Sequence, residues 1–127
     1  MATIVTGSGG SFPNSATLSA AQTGNGQSAN IVDRGGSTAP ALVTIVTTVG
    51  ATPTCTYLLE VSVDGVDWFP GAYADAATPT TTAVATFAIT TATTARKILV
   101  AGQPWRYLRV TFSANTNVTS TVTVWTF

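Results

Sequence analysis

Apolar and polar side chains alternate along much of the chain with a period of two residues, the pattern of a strand with one buried face. In the first clear run, apolar residues occupy the odd positions Cys55, Tyr57, Leu59, Val61 and Val63. In the second, they occupy the even positions Leu108, Val110 and Phe112. We therefore expect one set of side chains to be buried and to face one another across two sheets: Tyr57, Leu59, Val61, Phe87, Leu108 and Val110.

Further strands are predicted over residues 42–49, 84–89, 98–100 and 118–127, which are rich in β-branched and aromatic side chains. Turn-forming segments separate them, and Asp64-Gly65 is a hairpin signal. No segment has the 3.6-residue apolar stripe of a capped helix. About seven or eight short strands predict an all-β fold, an antiparallel β-sandwich of immunoglobulin-like or jelly-roll topology. The pattern does not separate these two topologies.

The N-terminal segment has a different composition from the rest of the chain. Residues 1–30 are rich in Gly, Ser, Thr and Asn, and their few large apolar side chains are Ile4, Val5, Phe12 and Leu18. So few anchors do not repay the entropy of ordering the segment by itself. We therefore expect residues 1–30 to form an extended arm that contacts neighbouring subunits, and residues 31–127 to form the sandwich domain.

The last predicted strand places aromatic residues opposite its core face. If Val122 and Val124 point into the core, Trp125 and Phe127 point outward. They cap the end of the core, or mark a bulge that changes the register, or form an apolar contact patch for another subunit. These interpretations stay open from the sequence, and under the last of them Trp125 and Phe127 are interface residues.

The chain is almost without charge, which limits its partners. Charged residues make up 8% of its 127 positions, against about 25% in an average soluble domain. Five basic and five acidic residues cancel, so no basic patch is expected and nucleic acid is not an expected partner. No apolar stretch reaches membrane-spanning length and no signal-peptide pattern begins the chain, so we expect no membrane partner and synthesis in the cytoplasm.

Few residues have the chemistry that catalysis needs. The chain has no histidine, which excludes Ser-His-Asp triads and imidazole metal sites. Asp64 and Asp67 lie in a turn, where Asp is favoured for local hydrogen bonds. The single cysteine, Cys55, fits a small core side chain. We expect no catalytic residue, no metal site and no cofactor.

Two aromatic residues near predicted loops have a second interpretation. Trp68 follows the Asp64–Asp67 turn, and Tyr107 begins a later strand. Exposed rings of this kind stack on sugars, although packing at the core and its rim also accounts for them. A carbohydrate-binding surface formed by Trp68 and Tyr107 is therefore an alternative hypothesis.

Two motifs resemble a known group of proteins. The run from Tyr57 to Trp68 contains Ser62-Val63-Asp64-Gly65-Val66-Asp67-Trp68, and Arg106-Tyr107-Leu108-Arg109-Val110 follows much later. This layout is similar to small β-sandwich structural proteins of tailed bacteriophages, head decoration (cement) proteins among them, over roughly residues 15–127. Discoidin-type domains share a similar layout, but this chain lacks their usual cysteine pair and is shorter.

The resemblance implies a role in the virion. It implies a non-enzymatic capsid decoration protein that is made in the host cytoplasm and binds the outside of a phage head. Its partners would be the major capsid protein and copies of itself, as a homotrimer at three-fold positions of the shell. The alternatives are a carbohydrate-binding module at a virion or cell surface, and a phage tail component.

Overall fold

The computed structural model of the chain describes residues 3–5, 14–35, 39–99 and 103–126. Within these ranges the fold is all-β, with eleven strands in one mixed sheet and no helix. The strands are β1 (Thr3–Val5), β2 (Asn14–Gln22), β3 (Gly26–Gln27), β4 (Asn30–Asp33), β5 (Ala41–Ser62), β6 (Phe69–Pro70), β7 (Tyr73–Asp75), β8 (Thr82–Ala83), β9 (Phe87–Ile89), β10 (Thr94–Leu99) and β11 (Tyr107–Thr126).

Two long strands form the frame of the molecule. β5 has 22 residues and β11 has 20, and they pair antiparallel along nearly their whole length. The register runs from Tyr107 opposite Ser62 to Trp125 opposite Leu42. The sequence pattern predicts two strands and an intervening turn in each of these segments. The structure differs because the backbone ladder continues past both sets of turn-forming residues.

Those turn-forming residues are instead irregularities within the strands. The β5–β11 register shifts on either side of Thr116. Thr52, Ala114 and Asn117 have positive φ angles of 45°, 49° and 54°. Bulges of this kind bend a strand and increase its twist. They divide the ladder into a Trp125 half (residues 41–49 and 118–126) and a Trp68 half (residues 54–62 and 107–113).

Shorter strands extend each half on both sides. In the Trp125 half, β2 pairs with β11, and β10 pairs with β5 on the other side. β7 then pairs with β10, and β8 with β7. In the Trp68 half, β3 and β4 pair with β11, while β6 and β9 pair with β5. The sheet is mixed because β1 runs parallel to β4.

One hydrophobic core draws on both halves. Val43 and Ile45 of the Trp125 half and Leu59 and Val61 of the Trp68 half belong to a single cluster of buried residues. The predicted burial of Tyr57, Leu59, Val61, Leu108 and Val110 is confirmed. The expectation that they face one another across two sheets is corrected, because Leu59 and Val61 lie opposite Val110 and Leu108 in one antiparallel ladder. Phe87 is half-buried and stacks on Tyr57, with ring centroids 5.3 Å apart. The interpretation of Cys55 as a buried core residue is also confirmed.

The N-terminal segment differs from the predicted arm over its described part. β2 pairs with β11 from Thr126 to Ser120, and Leu18 of β2 is completely buried in the core. Ser28 is also buried; its amide donates to the Val110 carbonyl, and its hydroxyl accepts from the Val110 amide. A segment of small polar residues can pair with the edge of a long strand, because the backbone hydrogen bonds between strands do not depend on the side chains. Residues 14–30 are therefore part of the sheet.

Candidate functional site

The C-terminal part of β11 separates buried valines from an exposed tryptophan. Val122 and Val124 are fully buried, whereas Trp125 is 38% exposed. This confirms the predicted strand faces for these three residues, and it leaves the contact-patch interpretation of Trp125 open. Phe127, the second aromatic residue of the predicted patch, lies outside the described residues.

Trp125 belongs to an apolar row that crosses three strands. Its register partner on β5 is Leu42, whose partner on β10 is Ile98. Val46, two rows along β5 on the same side, is also exposed. A hollow of about 350 Å³ lined by Pro40, Ala41, Leu42 and Ile98 adjoins the row. A row of this kind on an exposed sheet surface is a candidate protein contact.

The surface around this row has almost no charge. We call it the Trp125 face and define it by the outward-pointing residues of β2, β5, β10 and β11 in the Trp125 half. Among these described positions, Arg96 is the sole charged side chain. The members of the face are Ser15, Thr17, Leu42, Thr44, Val46, Thr94, Arg96, Ile98, Thr121, Thr123 and Trp125.

The predicted interface residues of the N-terminal segment differ in how exposed they are. Ile4 is 55% exposed on β1. Val5 ends β1, but only its backbone is described, and Phe12 lies outside the described residues. Leu18 has 0% exposure within its own chain. Leu18 is therefore a core residue, and the expectation that it contacts another subunit is corrected.

Trp68 is held by an ion pair on the other half of the molecule. The guanidinium carbon of Arg109 lies 4.2 Å from the centre of the Trp68 ring. Nε of the same guanidinium donates to Oε1 of Glu60 at 3.1 Å, and the Thr111 hydroxyl donates to that carboxylate oxygen. Arg109 and Glu60 are opposite one another in the β5–β11 register. Glu60 and Arg109 are therefore held side by side on two adjacent strands, and Trp68 packs against Arg109 from the segment after β5.

A depression of about 460 Å³ opens beside this stack. It is lined by Gln27, Ser28, Ala29, Ile31, Gly65, Trp68 and Arg109. Tyr107, the second residue of the predicted sugar-binding pair, is not part of this lining. It lies next to it, since a Cβ placed at Gly65 would be 3.6 Å from Cε2 of Tyr107. The structure thus brings Trp68 together with Gln27 and Arg109, which the sequence analysis did not select.

The turn before Trp68 is stabilised by Asp64. Its Oδ1 accepts the backbone amides of Val66 and Asp67 at 2.9 and 3.0 Å, and the Ser62 hydroxyl at 3.1 Å. The amides of Asp67 and Val66 lower the pKa of Asp64 by stabilising its ionised form. Gly65 supplies the positive φ of 79° in this turn. The interpretation of Asp64 as a turn residue is confirmed.

A buried arginine is the main polar feature that the sequence analysis missed. Arg34 donates from Nε to the Trp105 carbonyl, from Nη1 to that of Ala39 and from Nη2 to that of Gln103, each at 2.9 Å. Its guanidinium carbon lies 3.6 Å from the centre of the Trp105 ring. Burial lowers the pKa of Arg34, although a guanidinium stays charged at neutral pH. No sequence pattern pointed to this arrangement, because its acceptors are backbone carbonyls, two of which lie 69 and 71 residues from Arg34 in the sequence.

The described part of the chain contains no cluster of three Cys, Asp or Glu side chains close enough to hold a metal ion. Within the same residues there is no helix that could cross a membrane. No protein-family model matches the sequence, and no curated protein or solved structure matches it either.

Proposed function

We propose that this chain is a non-enzymatic structural protein of a virion, of the capsid decoration type, and that it acts as a homo-oligomer. One observation carries the proposal: the row of Trp125, Leu42 and Ile98 is apolar and lies on an exposed sheet surface. The phage resemblance of the motifs at residues 57–68 and 106–110 supplies the virion context. A capsid decoration protein works through surfaces of this kind and needs no reactive group.

A second copy of the chain is the partner that suits the Trp125 face best. The face offers threonine hydroxyls and apolar groups around a single charge, Arg96. A neighbouring copy can cover this face without burying several like charges. In a closed trimer the face contacts a different surface of the next copy, whereas contact with its own equivalent would give a two-fold dimer. The formal net charge of zero also removes long-range repulsion between copies. We infer a trimer, the symmetry that fits the three-fold positions of a shell.

The inferred architecture is a β-sandwich made by the bend in the two long strands. Residues of both halves share one hydrophobic cluster, which supports the packing of one half on the other. An immunoglobulin-like and a jelly-roll topology stay the two alternatives for this proposed sandwich. In this arrangement the Trp125 face and the Trp68 depression point away from the shared core.

The major capsid protein is the second proposed partner. Ile4, exposed on the terminal strand β1, is a candidate contact for it or for a neighbouring copy. Many equivalent sites on a capsid exterior give avidity, which offsets a weak single contact. This location requires synthesis in the host cytoplasm, where heads assemble.

A shell-binding experiment tests the proposal. The purified chain is mixed with assembled heads that lack it, with soluble capsid subunits, and with isolated tails of the same phage. We expect co-sedimentation with the heads, saturation at a fixed ratio to the capsid protein, and no binding to the soluble subunits. Binding to tails instead would assign the chain to the tail, and binding to none of the three would contradict the virion role.

A further inference from the structure

The depression beside Trp68 is formed by three separate parts of the chain. Gln27 and Ile31 come from the β3–β4 segment, Gly65 and Trp68 from the turn and the segment after β5, and Arg109 from β11. The β3–β4 segment is tied to β11 by the Ser28–Val110 hydrogen bonds, and the turn is tied by Asp64. Hydrogen bonds from Ser28 to β11 on one side, and from Asp64 within the turn on the other, therefore order its walls, as in a largely preformed ligand site.

The tryptophan in this depression has a fixed orientation. Arg109 packs against the Trp68 ring at 4.2 Å, while Glu60 and the β-strand hold Arg109 in place. A planar side chain that is already ordered loses little entropy when a ligand packs against it. Trp68 is half-buried, so part of its surface faces the depression. It is an aromatic platform of the kind on which the apolar faces of sugar rings stack.

The two arginines near this site are already paired, and the turn beside it adds the carboxylates of Asp64 and Asp67. Arg109 is paired with Glu60, and the neighbouring Arg106 is paired with Asp33 through two hydrogen bonds of 2.9 and 3.0 Å. An anionic ligand would have to displace Glu60 from Arg109, and a cationic one would have to displace Arg109 from Glu60. A ligand without charge meets neither cost.

Hydrogen-bonding capacity is present next to the ring. The Gln27 side chain is exposed at the rim, and it makes no hydrogen bond to any of the residues that the structure describes. Its amide provides both a donor and an acceptor, which is what a sugar hydroxyl requires. Ile31 and Ala29 supply apolar surface on the same wall.

From these observations we propose that the depression formed by Trp68, Gln27, Ile31 and Arg109 binds a neutral saccharide. Trp68 would stack on a sugar ring, and Gln27 would exchange hydrogen bonds with its hydroxyls. The site is on the Trp68 half, so it neither uses the Trp125 face nor depends on it. The chain would then attach an assembled particle to glycans while the Trp125 face holds the oligomer together.

The test follows the indole N–H signals of the three tryptophans by NMR. The probes are three neutral hexasaccharides, built from β-linked glucose, α-linked glucose and N-acetylglucosamine, each added up to about 10 mM, since single sugar sites bind weakly. We expect at least one probe to shift the Trp68 signal in a saturable manner and to leave the Trp105 and Trp125 signals in place. No saturable shift of the Trp68 signal with any of the three would overturn the proposal.

Variants assign the binding to the depression. Because Trp68→Ala removes the NMR signal that reports binding, affinities are compared by isothermal titration calorimetry with the same saccharide. We expect Trp68→Ala to weaken binding about tenfold or more, the range found when a stacking ring is removed. Gln27→Ala, a change at an exposed position, should weaken it less, and Trp125→Phe, outside the depression, should leave it unchanged. Equal affinity in the wild type, Trp68→Ala and Gln27→Ala would contradict the site. Light scattering on the same samples shows whether assembly is intact, so a failure of the sugar site is distinguishable from a failure of the proposed oligomer.

Discussion

The hydroxyl of Tyr57 lies 2.7 Å from the hydroxyl of Ser120, and both side chains are buried. Tyr57 belongs to the Trp68 half of the long ladder and Ser120 to the Trp125 half. Their hydrogen bond therefore connects the two parts of the bent β5–β11 pair through the interior. The rings of Phe87 and Phe112 contact Tyr57, so this polar link lies inside the apolar core.

Removing this link should destabilise the fold and reveal coupling between the halves. Tyr57→Phe leaves the buried Ser120 hydroxyl without its partner, at an expected cost of about 1–3 kcal/mol. Ser120→Ala should cost a similar amount, and the double variant less than the sum, because both remove the same interaction. Urea unfolding measures the four free energies. Additive costs would show that the two hydroxyls do not interact.

Stability should also fall at alkaline pH. Burial raises the pKa of Tyr57 above its ordinary value of about 10, and the Ser120 hydrogen bond offsets only part of this effect. The folded state then holds the phenol proton more tightly than the unfolded chain. This contribution is complete below about pH 10 and is lost as the pH rises further. Thermal unfolding between about pH 8 and 11 should show a shallower decline for Tyr57→Phe than for the wild type, and identical declines would contradict the linkage.

A comparison of Leu18 with Ile4 tests whether the N-terminal segment belongs to the core. Leu18→Ala should cost about 2–5 kcal/mol, because it removes a β2 side chain that is fully buried in the core. Ile4→Ala should change the stability by less than about 0.5 kcal/mol, since Ile4 is exposed. Chemical denaturation of both variants decides the point. A similarly small loss of stability in both variants would indicate that residues 14–30 form the predicted arm and not part of the core.

The buried Arg34 should not tolerate lysine. Its planar guanidinium donates hydrogen bonds to three backbone carbonyls and stacks on the Trp105 ring. The ammonium group of lysine cannot reproduce that geometry. A buried acceptor left without a donor, such as the Trp105 carbonyl, costs about 1–3 kcal/mol. Arg34→Lys should therefore lower the unfolding free energy clearly, whereas the matched change Arg96→Lys at an exposed position should not. Equal effects in urea unfolding would show that the guanidinium contacts contribute nothing.

The two-residue period in the sequence correctly predicted which faces of the strands are buried. It identified Tyr57, Leu59, Leu108 and Val110 as core residues and put Trp125 on the outside, because alternation reports directly on the two faces of a strand. The Asp64-Gly65 turn was also predictable, since its chemistry is local. These features depend on neighbours in sequence, which a pattern can detect.

Other features depend on distant pairing and left no local signal. Strand β2 was missed because its Ser, Thr and Ala residues do not alternate clearly, and its stability comes from β11, about a hundred residues later. The continuity of β5 and β11 was missed because Gly50, Pro53 and Asn117 are typical of turns, whereas a paired long strand accommodates them as bulges. The depression at Trp68 needed Gln27 and Arg109, which only the fold brings together.

The most direct test of the central claim is the mass of the chain in solution, with and without Trp125. We predict that light scattering of the wild type gives a trimer of the 12.9 kDa chain. Trp125→Ser should shift the mass toward the monomer while its melting temperature falls little, and Trp68→Ser, a control outside the Trp125 face, should keep the trimer mass. A monomeric wild type, or a Trp125→Ser variant that melts much lower and yet keeps its full mass, would contradict assembly through the Trp125 face.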